Sequence, residues 1–195
     1  MALSTKLVVK IKKLSFLLLM ALSVQQLISQ DAVSILRGKI GGLYSSFSGN
    51  FTIATAGGKV KAGKIFYQAP NKVHIKMSGS VLASNGRYIW TYNSSTGLCG
   101  KQDAGGASGG ILGLLRGYIG TVRGSSLVFK NKEGFYDEIT VKTSNGMVRS
   151  VRLKRGSETS TVSFSGIKIG AGMRASLFNY KPPPSARLIE NPLNN

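Results

Sequence analysis

Few residues in this chain have the type and spacing for covalent chemistry. Gly106-Ala107-Ser108-Gly109-Gly110 fits the G-x-S-x-G turn that presents a nucleophilic serine in α/β hydrolases. That turn needs a buried strand before the serine and a histidine after it in the chain. Lys101 to Gly105 reads Lys-Gln-Asp-Ala-Gly, which is no buried strand, and no histidine follows His74. The stretch reads as a glycine-rich hinge. Cys99 and His74, the sole cysteine and the sole histidine, are the one available thiol and imidazole for nucleophile and base. No spacing signal links them. Asp137-Glu138 are neighbours on a strand, where adjacent side chains face opposite sides, so they do not form a carboxylate pair. The glycine-rich run lacks the Gly-Lys-Ser/Thr ending of a phosphate loop. One Cys and one His exclude an intrachain disulfide, a multi-cysteine metal site and the H-E-x-x-H zinc motif. The residues point away from an enzyme and imply no cofactor and no metal.

The chain has 195 residues, with 42% apolar residues, 25 Gly and 5 Pro. That is too apolar and too poor in Gly and Pro for a disordered chain, and long enough to bury a core. Lys and Arg number 26 against 7 Asp and Glu, a net charge of +19. Such a charge suits a polyanionic or anionic-membrane partner. Arg149, Arg152, Lys154 and Arg155 cluster in one hairpin arm and are a candidate patch for docking to an anionic surface. His74, between Lys72 and Lys76, reads as part of a solvated basic face.

The first residues have the layout of a secretory leader. Lys6, Lys10, Lys12 and Lys13 precede the apolar run Leu14 to Leu22, with small residues at Ala21 and Ser23. The run is too short to span a bilayer as a helix, which takes about 20 residues. The expectation is a signal peptide over 1–23, cleaved between 23 and 30, and a single exported domain over 24–195. No cysteine near the cleavage site offers itself for lipid modification.

Val33, Leu36, Ile40, Leu43 and Phe47 recur at helical steps and predict an N-terminal helix, with Asp31 as its cap. Alternation then predicts strands through Phe51 and Ile53, Ile65 and Tyr67, Val73 to Met77, and Tyr88 to Tyr92. Gly57-Gly58, Pro70-Asn71, Asn85-Gly86 and Ser94-Ser95 punctuate them. The alternation breaks at about 100–120, where a glycine run precedes Ile111, Leu112, Leu114, Leu115, Tyr118 and Ile119 at helical spacing. This reads as a short apolar helical insertion. Strands resume over 126–129, 139–141, 147–153, 162–169 and 177–180, and a last one over 186–189. The fold class is mainly β (α+β): about ten to eleven antiparallel strands, one N-terminal helix and one helical insertion.

Gly63-Lys-Ile-Phe-Tyr-Gln-Ala-Pro-Asn-Lys-Val-His-Ile-Lys-Met77, followed by Ala83-Ser-Asn-Gly-Arg-Tyr-Ile-Trp-Thr-Tyr-Asn93, resembles the periplasmic outer-membrane lipoprotein carrier family of LolA type. The ending Phe178-Asn-Tyr-Lys-Pro-Pro-Pro-Ser-Ala-Arg-Leu-Ile189 resembles that family's final strand pair joined through proline, and the order of parts agrees. The resemblance implies an unclosed antiparallel half-barrel with helices as a lid over an apolar concave face. It implies acylated lipoproteins as cargo, an inner-membrane lipoprotein-releasing ABC transporter as donor, and the outer membrane or a receptor there as acceptor. A periplasmic monomer without nucleic acid is implied too. Ile65, Tyr67, Val73, Ile75, Met77, Ile89 and Trp90 are the candidate cargo-binding residues. Leu36, Ile40, Ile111, Leu114 and Leu115 are the candidate lid. From the residues alone a closed core fits as well as a cavity, and the resemblance favours the cavity. One position departs from the family. Ala69 stands where the best-known members carry a lid-latching Arg before the proline, with Gln68 or Arg116 as candidate substitutes. Alternatives are a lipid or glycolipid binder or envelope-stress sensor of the same fold, and a basic exported polyanion binder. Ile75→Asp is expected to abolish cargo binding in a protein that still folds.

Overall fold

The computed structural model describes residues 45–69, 71–104, 117–170 and 172–190. Alternating sequences pair wherever a tight turn reverses them, and here they build one twelve-stranded sheet. The strands are β1 (Ser46–Thr55), β2 (Lys61–Gln68), β3 (Lys72–Met77), β4 (Ser80–Asn85), β5 (Tyr88–Asn93) and β6 (Leu98–Asp103), then β7 (Ile119–Arg123), β8 (Ser126–Lys130), β9 (Glu138–Ser144), β10 (Met147–Arg155), β11 (Glu158–Ile169) and β12 (Arg187–Glu190). Their spatial order is β12-β6-β5-β4-β3-β2-β1-β11-β10-β9-β8-β7. The sheet is therefore two antiparallel meanders joined where β1 pairs with β11, and it stays unclosed, with β12 and β7 as its edges.

The expected turns sit where left-handed backbone is needed. Asn145 has φ 52° and Gly146 φ 69°, the signature of a tight hairpin turn between β9 and β10. Asn85 accepts hydrogen bonds from the backbone N–H of Arg87 (2.9 Å) and Tyr88 (2.9 Å) and so reverses the chain into β5. Two bulges re-aim side chains. On β11 the register shifts opposite Ser48/Asn50, with Gly166 at φ 59°, so that Ile169 lies opposite Phe47. On β10 the shift falls between Val148 and Ser150, and Arg149 is the inserted residue.

One face of the sheet, called the inner face below, carries a single apolar cluster. Phe51, Ile65, Tyr67, Val73, Ile75 and Leu82 supply it from the first meander. Leu127, Phe129, Ile139, Val141, Val151, Leu153 and Val162 supply it from the second. Each such side chain contributes roughly 1.5–3 kcal/mol on burial.

The structure corrects several expectations. Twelve strands replace ten to eleven: Ser80–Asn85, Leu98–Asp103 and Ile119–Arg123 pair as strands without a clear alternation of large apolar residues, while 177–180 does not pair. The insertion is bounded by β6 and Gly117. Tyr118 does not continue it: its hydroxyl donates to the Tyr136 carbonyl (2.6 Å) and accepts from the Tyr136 N–H (3.1 Å), tying the start of β7 to the 131–137 loop. The segment 177–180 is no strand. A 3-10 turn over Ala175–Leu177 precedes it, and Phe178 is buried instead of pairing. The sheet is also not wholly antiparallel, since β12 runs parallel to β6. The expected leader, the N-terminal helix up to Leu43 and the lid residues Leu36, Ile40, Ile111, Leu114 and Leu115, with Arg116, lie outside the described residues; Phe47, the last periodic position of that helix, stands in β1. Among the described residues no helix is long and apolar enough to cross a membrane.

Gly63 marks where β1, β2 and β3 approach most closely. A Cβ there would lie 2.5 Å from the Lys76 carbonyl oxygen and 2.6 Å from the Phe51 ring. Neither the backbone of β3 nor a ring at 1% exposure can give way. Gly63→Ala is expected to lower unfolding stability by about 1–3 kcal/mol, read as a drop in the urea midpoint at unchanged slope.

Candidate functional site

Register decides which of the nominated residues share a face. Ile65 lies opposite Ile75, and Tyr67 opposite Val73. Ile75 lies opposite Leu82. Ile65, Tyr67, Val73 and Ile75 all stand in the inner cluster, buried, with Met77 and Ile89 packed half-buried against it. Trp90 does not join them. It follows Ile89 on β5, where successive side chains alternate, and it packs on the outer face with Ala83 and Cys99. Nominating two adjacent strand residues for one surface was incompatible with that alternation.

The inner face also extends beyond the nominated residues. Phe47, Phe51, Leu82 and the apolar residues of β8 to β11 belong to the same cluster. The signal was in the sequence: 127, 129, then 139, 141, then 151, 153 repeat the period of two. The face is wholly apolar in its middle. Where it meets the 131–137 loop, Tyr118 and Tyr136 add phenols. Burial raises the Tyr118 phenol above its ordinary value and pushes Tyr136 up to about 12. Both are therefore neutral over any physiological pH. Among the described residues this face buries apolar area in its middle, with the buried hydroxyls Ser84, Thr143 and Ser160 toward its margins.

Ala69 packs against the inner cluster, its N–H donating to the Ser45 carbonyl (2.9 Å). Gln68 precedes it on β2 and shares the outer face with Phe66 by alternation, so it cannot substitute for an inner-face latch.

The outer face of β3 to β6 is covered by the chain that follows β11. Phe178 is buried, Tyr180 packs against the Trp90–Cys99 cluster, and the Asn85 side-chain amide donates to the Asn179 side chain (3.1 Å). β12 then adds to β6, and Lys101 pairs with Glu190 at 3.1 Å. His74 sits under this strap and is no solvated residue. Its Nδ1–H donates to the Leu177 carbonyl (2.8 Å), and its ring lies between Phe66 and Tyr180. Burial, and secondarily the Lys76 charge, lower its pKa, although the Leu177 carbonyl acts the other way. Burial raises the Cys99 thiol. Together with the neighbouring Cys99 and Tyr92, burial pushes Tyr180 up to about 12. Cys99 and His74 stand three strands apart, about 14 Å at the usual spacing, too far for one to deprotonate the other.

Arg149, Arg152, Lys154 and Arg155 are all exposed but do not form one patch. Arg152 and Lys154 project from the outer face. Arg149 is the bulged residue, and Arg155 lies over the Phe135 ring at 4.4 Å.

No protein-family model and no curated protein matches the sequence. Solved structures do. A conserved protein of Thermus thermophilus superposes with a TM-score of 0.58 at 9% identity, covering 83% of this chain and 100% of that one. The LolA superfamily protein NE2245 of Nitrosomonas europaea gives 0.42 at 14% identity, covering 75% and 96%. A putative outer membrane lipoprotein-sorting protein domain of Vibrio parahaemolyticus gives 0.45 at 8% identity, covering 76% and 95%. The fold is the one shared with the Thermus protein, and the structural neighbours include a LolA superfamily protein and a lipoprotein-sorting domain.

Two outcomes test the strap. Tyr180→Ala is expected to raise the alkylation rate of Cys99 by about tenfold, the effect of about 1.4 kcal/mol of lost local stability, measured with iodoacetamide under native conditions. Because His74 is more easily deprotonated when folded, its contribution is fully present above the ordinary imidazole value of about 6.5 and is lost as pH falls below it. Thermal stability is therefore expected to fall between about pH 7 and pH 5, and His74→Gln should flatten that fall.

Proposed function

We propose that this protein is an exported carrier that holds the acyl chains of lipoproteins against its inner face and ferries them from the inner to the outer membrane. The observation that carries this reading is the single apolar face running from β1 to β5 and from β8 to β11 on an unclosed sheet. The family resemblance of the 63–77 and 83–93 segments supports the same reading. An acyl chain loses about 0.8 kcal/mol for every CH₂ exposed to water, so a multiply acylated protein needs an apolar host to cross an aqueous compartment. A sheet that does not close can part from a cover without breaking a strand pair. Burial by area also lets the host release its load to a bilayer, which offers the same contacts. The donor is an inner-membrane ATP-driven transporter and the acceptor is the outer membrane or a receptor in it. No step makes or breaks a covalent bond.

Ile75 has no exposed surface, so Ile75→Asp costs the fold together with the site. Met77 and Ile89 are half-buried at the margin of the same cluster and are the better probes. Mass spectrometry of the protein purified from its native envelope is expected to show acylated lipoprotein in about one-to-one ratio. Met77→Asp and Ile89→Asp are expected to lose it by at least about tenfold while keeping the wild-type β circular dichroism. Free lipid in place of lipoprotein would make the protein a lipid binder of the same fold. Cargo retained by both folded variants would displace the site from the inner face.

A further inference from the structure

The outer face over β3, β2, β1, β11, β10 and β9 has a different character from the strapped part. Its exposed cations are Lys76 on β3, Lys64 on β2, Lys168 on β11, Arg152 and Lys154 on β10, and Lys142 on β9, with Lys72 on β3 half-buried beside them. Register puts them on one side. Lys64 lies directly opposite Lys76, Lys142 opposite Ser150, and Arg152 opposite both Thr140 and Thr161. After the β11 bulge, Lys168 lies opposite Ser48, on the same side as Phe66 and His74. Between the two basic margins stand only short polar side chains, Asn50, Thr52, Ser163 and Ser165, also exposed. Among the described residues of these strands the one carboxylate on this side is Glu138, which is held by Lys130 at 3.4 Å.

Directly opposed like charges destabilise a strand pair, yet Lys64 and Lys76 face each other with no acid between them. The face spans five strand spacings, about 24 Å. It has no groove to hold a linear polymer and no exposed aromatic side chain to stack a base. It has no large exposed apolar side chain to insert into a bilayer core either. A broad, shallow, cationic surface of this kind matches a flat anionic one whose charges can move to meet it.

We infer that the outer face of β1–β3 and β9–β11 docks the protein on anionic phospholipid headgroups, through Lys64, Lys76, Lys142, Arg152, Lys154 and Lys168. This goes beyond the carrier reading and holds whatever the inner face takes. Docking through one side of the sheet leaves the other side free for cargo. The contact is electrostatic and superficial, so it is reversible and weakens with salt.

Co-sedimentation with vesicles tests it. Binding is expected to phosphatidylglycerol-containing vesicles at low salt and not to pure phosphatidylcholine, and to disappear near molar salt. Each cation at such a surface is worth about fivefold in affinity, so K142Q/R152Q/K154Q is expected to lose on the order of 100-fold. The control removes the same charge elsewhere: Lys59, Arg123 and Lys132 are exposed at hairpin ends and loops, and K59Q/R123Q/K132Q is expected to lose less than about fivefold. An equal loss in the two triple variants would overturn the proposal, since net charge alone would then explain binding. Equal binding to neutral vesicles would overturn it as well. So would tight binding to heparin with none to anionic vesicles, which would assign the face to a soluble polyanion.

Discussion

The pairing of β1 with β11 is the constraint on which the rest depends. β2 to β6 and β7 to β10 are meanders that local turns alone can build. Only the β1–β11 seam joins them, and it brings together residues more than 100 positions apart: Thr55 and Ser160 hydrogen-bond across it at 3.1 Å. Its register sets Phe51 opposite Phe164 and Ile53 opposite Val162. A slip of one residue would send Phe51 to the outer face and split the inner cluster in two. The bulge at Gly166 keeps Ile167 and Ile169 on the inner side beyond the point where strict alternation would have turned them out. The apolar surface thus exists as one piece because one long-range pairing fixes its phase.

The same alternation separates two tasks. Every strand that gives an apolar residue to the inner face gives its neighbours to the outer one. Over β2 to β6 those neighbours are Phe66, His74, Ala83, Trp90, Tyr92 and Cys99, too apolar to leave wet, and the strap packs over them. Over β1 and β9 to β11 they are mostly Ser, Thr, Asn, Lys and Arg, exposed or half-buried. Before β12 joins β6, the strap is fastened by few directional bonds, His74 to the Leu177 carbonyl and Asn85 to Asn179; β12 then adds its ladder and the Lys101–Glu190 pair. Its specificity lies in Tyr180, whose ring packs against the surface that Trp90 and Tyr92 present.

Much of this was legible in the sequence, for reasons that also define where legibility stopped. Period-two runs such as Val73, Ile75, Met77 and Leu127, Phe129 announce strands with one buried face, and Asn-Gly pairs announce their turns. The mainly-β, unclosed sheet followed directly, as did the inner-face position of six of the seven nominated residues, all but Trp90. Bulges defeat such reading, since nothing local says that β10 gains a residue at Arg149 or β11 one near Gly166. Two-sided burial defeats it too. Ile89 and Trp90 are both protected, but by different covers, and sequence gives no cue to the second. The strap failed for a third reason. Leu177 to Tyr180 has strand-like composition, yet its partner is a surface of side chains, while Pro182 to Pro184 deny it ladder donors.

An unclosed sheet carries two edges, and each is protected differently from pairing with another molecule. β12 is only four residues long and runs parallel to β6, and its Glu190 is engaged by Lys101, which leaves little ladder for a newcomer. β7 is five residues long, contains Gly120, and ends in the charged Arg123 beside the turn at Gly124. Tyr118 clamps its start to the 131–137 loop. Closure into a barrel would remove both edges but would also fix the volume inside. Short, guarded edges let the sheet stay open without offering its backbone as a template. The openness of the sheet and the bluntness of its edges thus belong together: a sheet that does not close keeps two edges, and both are short and guarded.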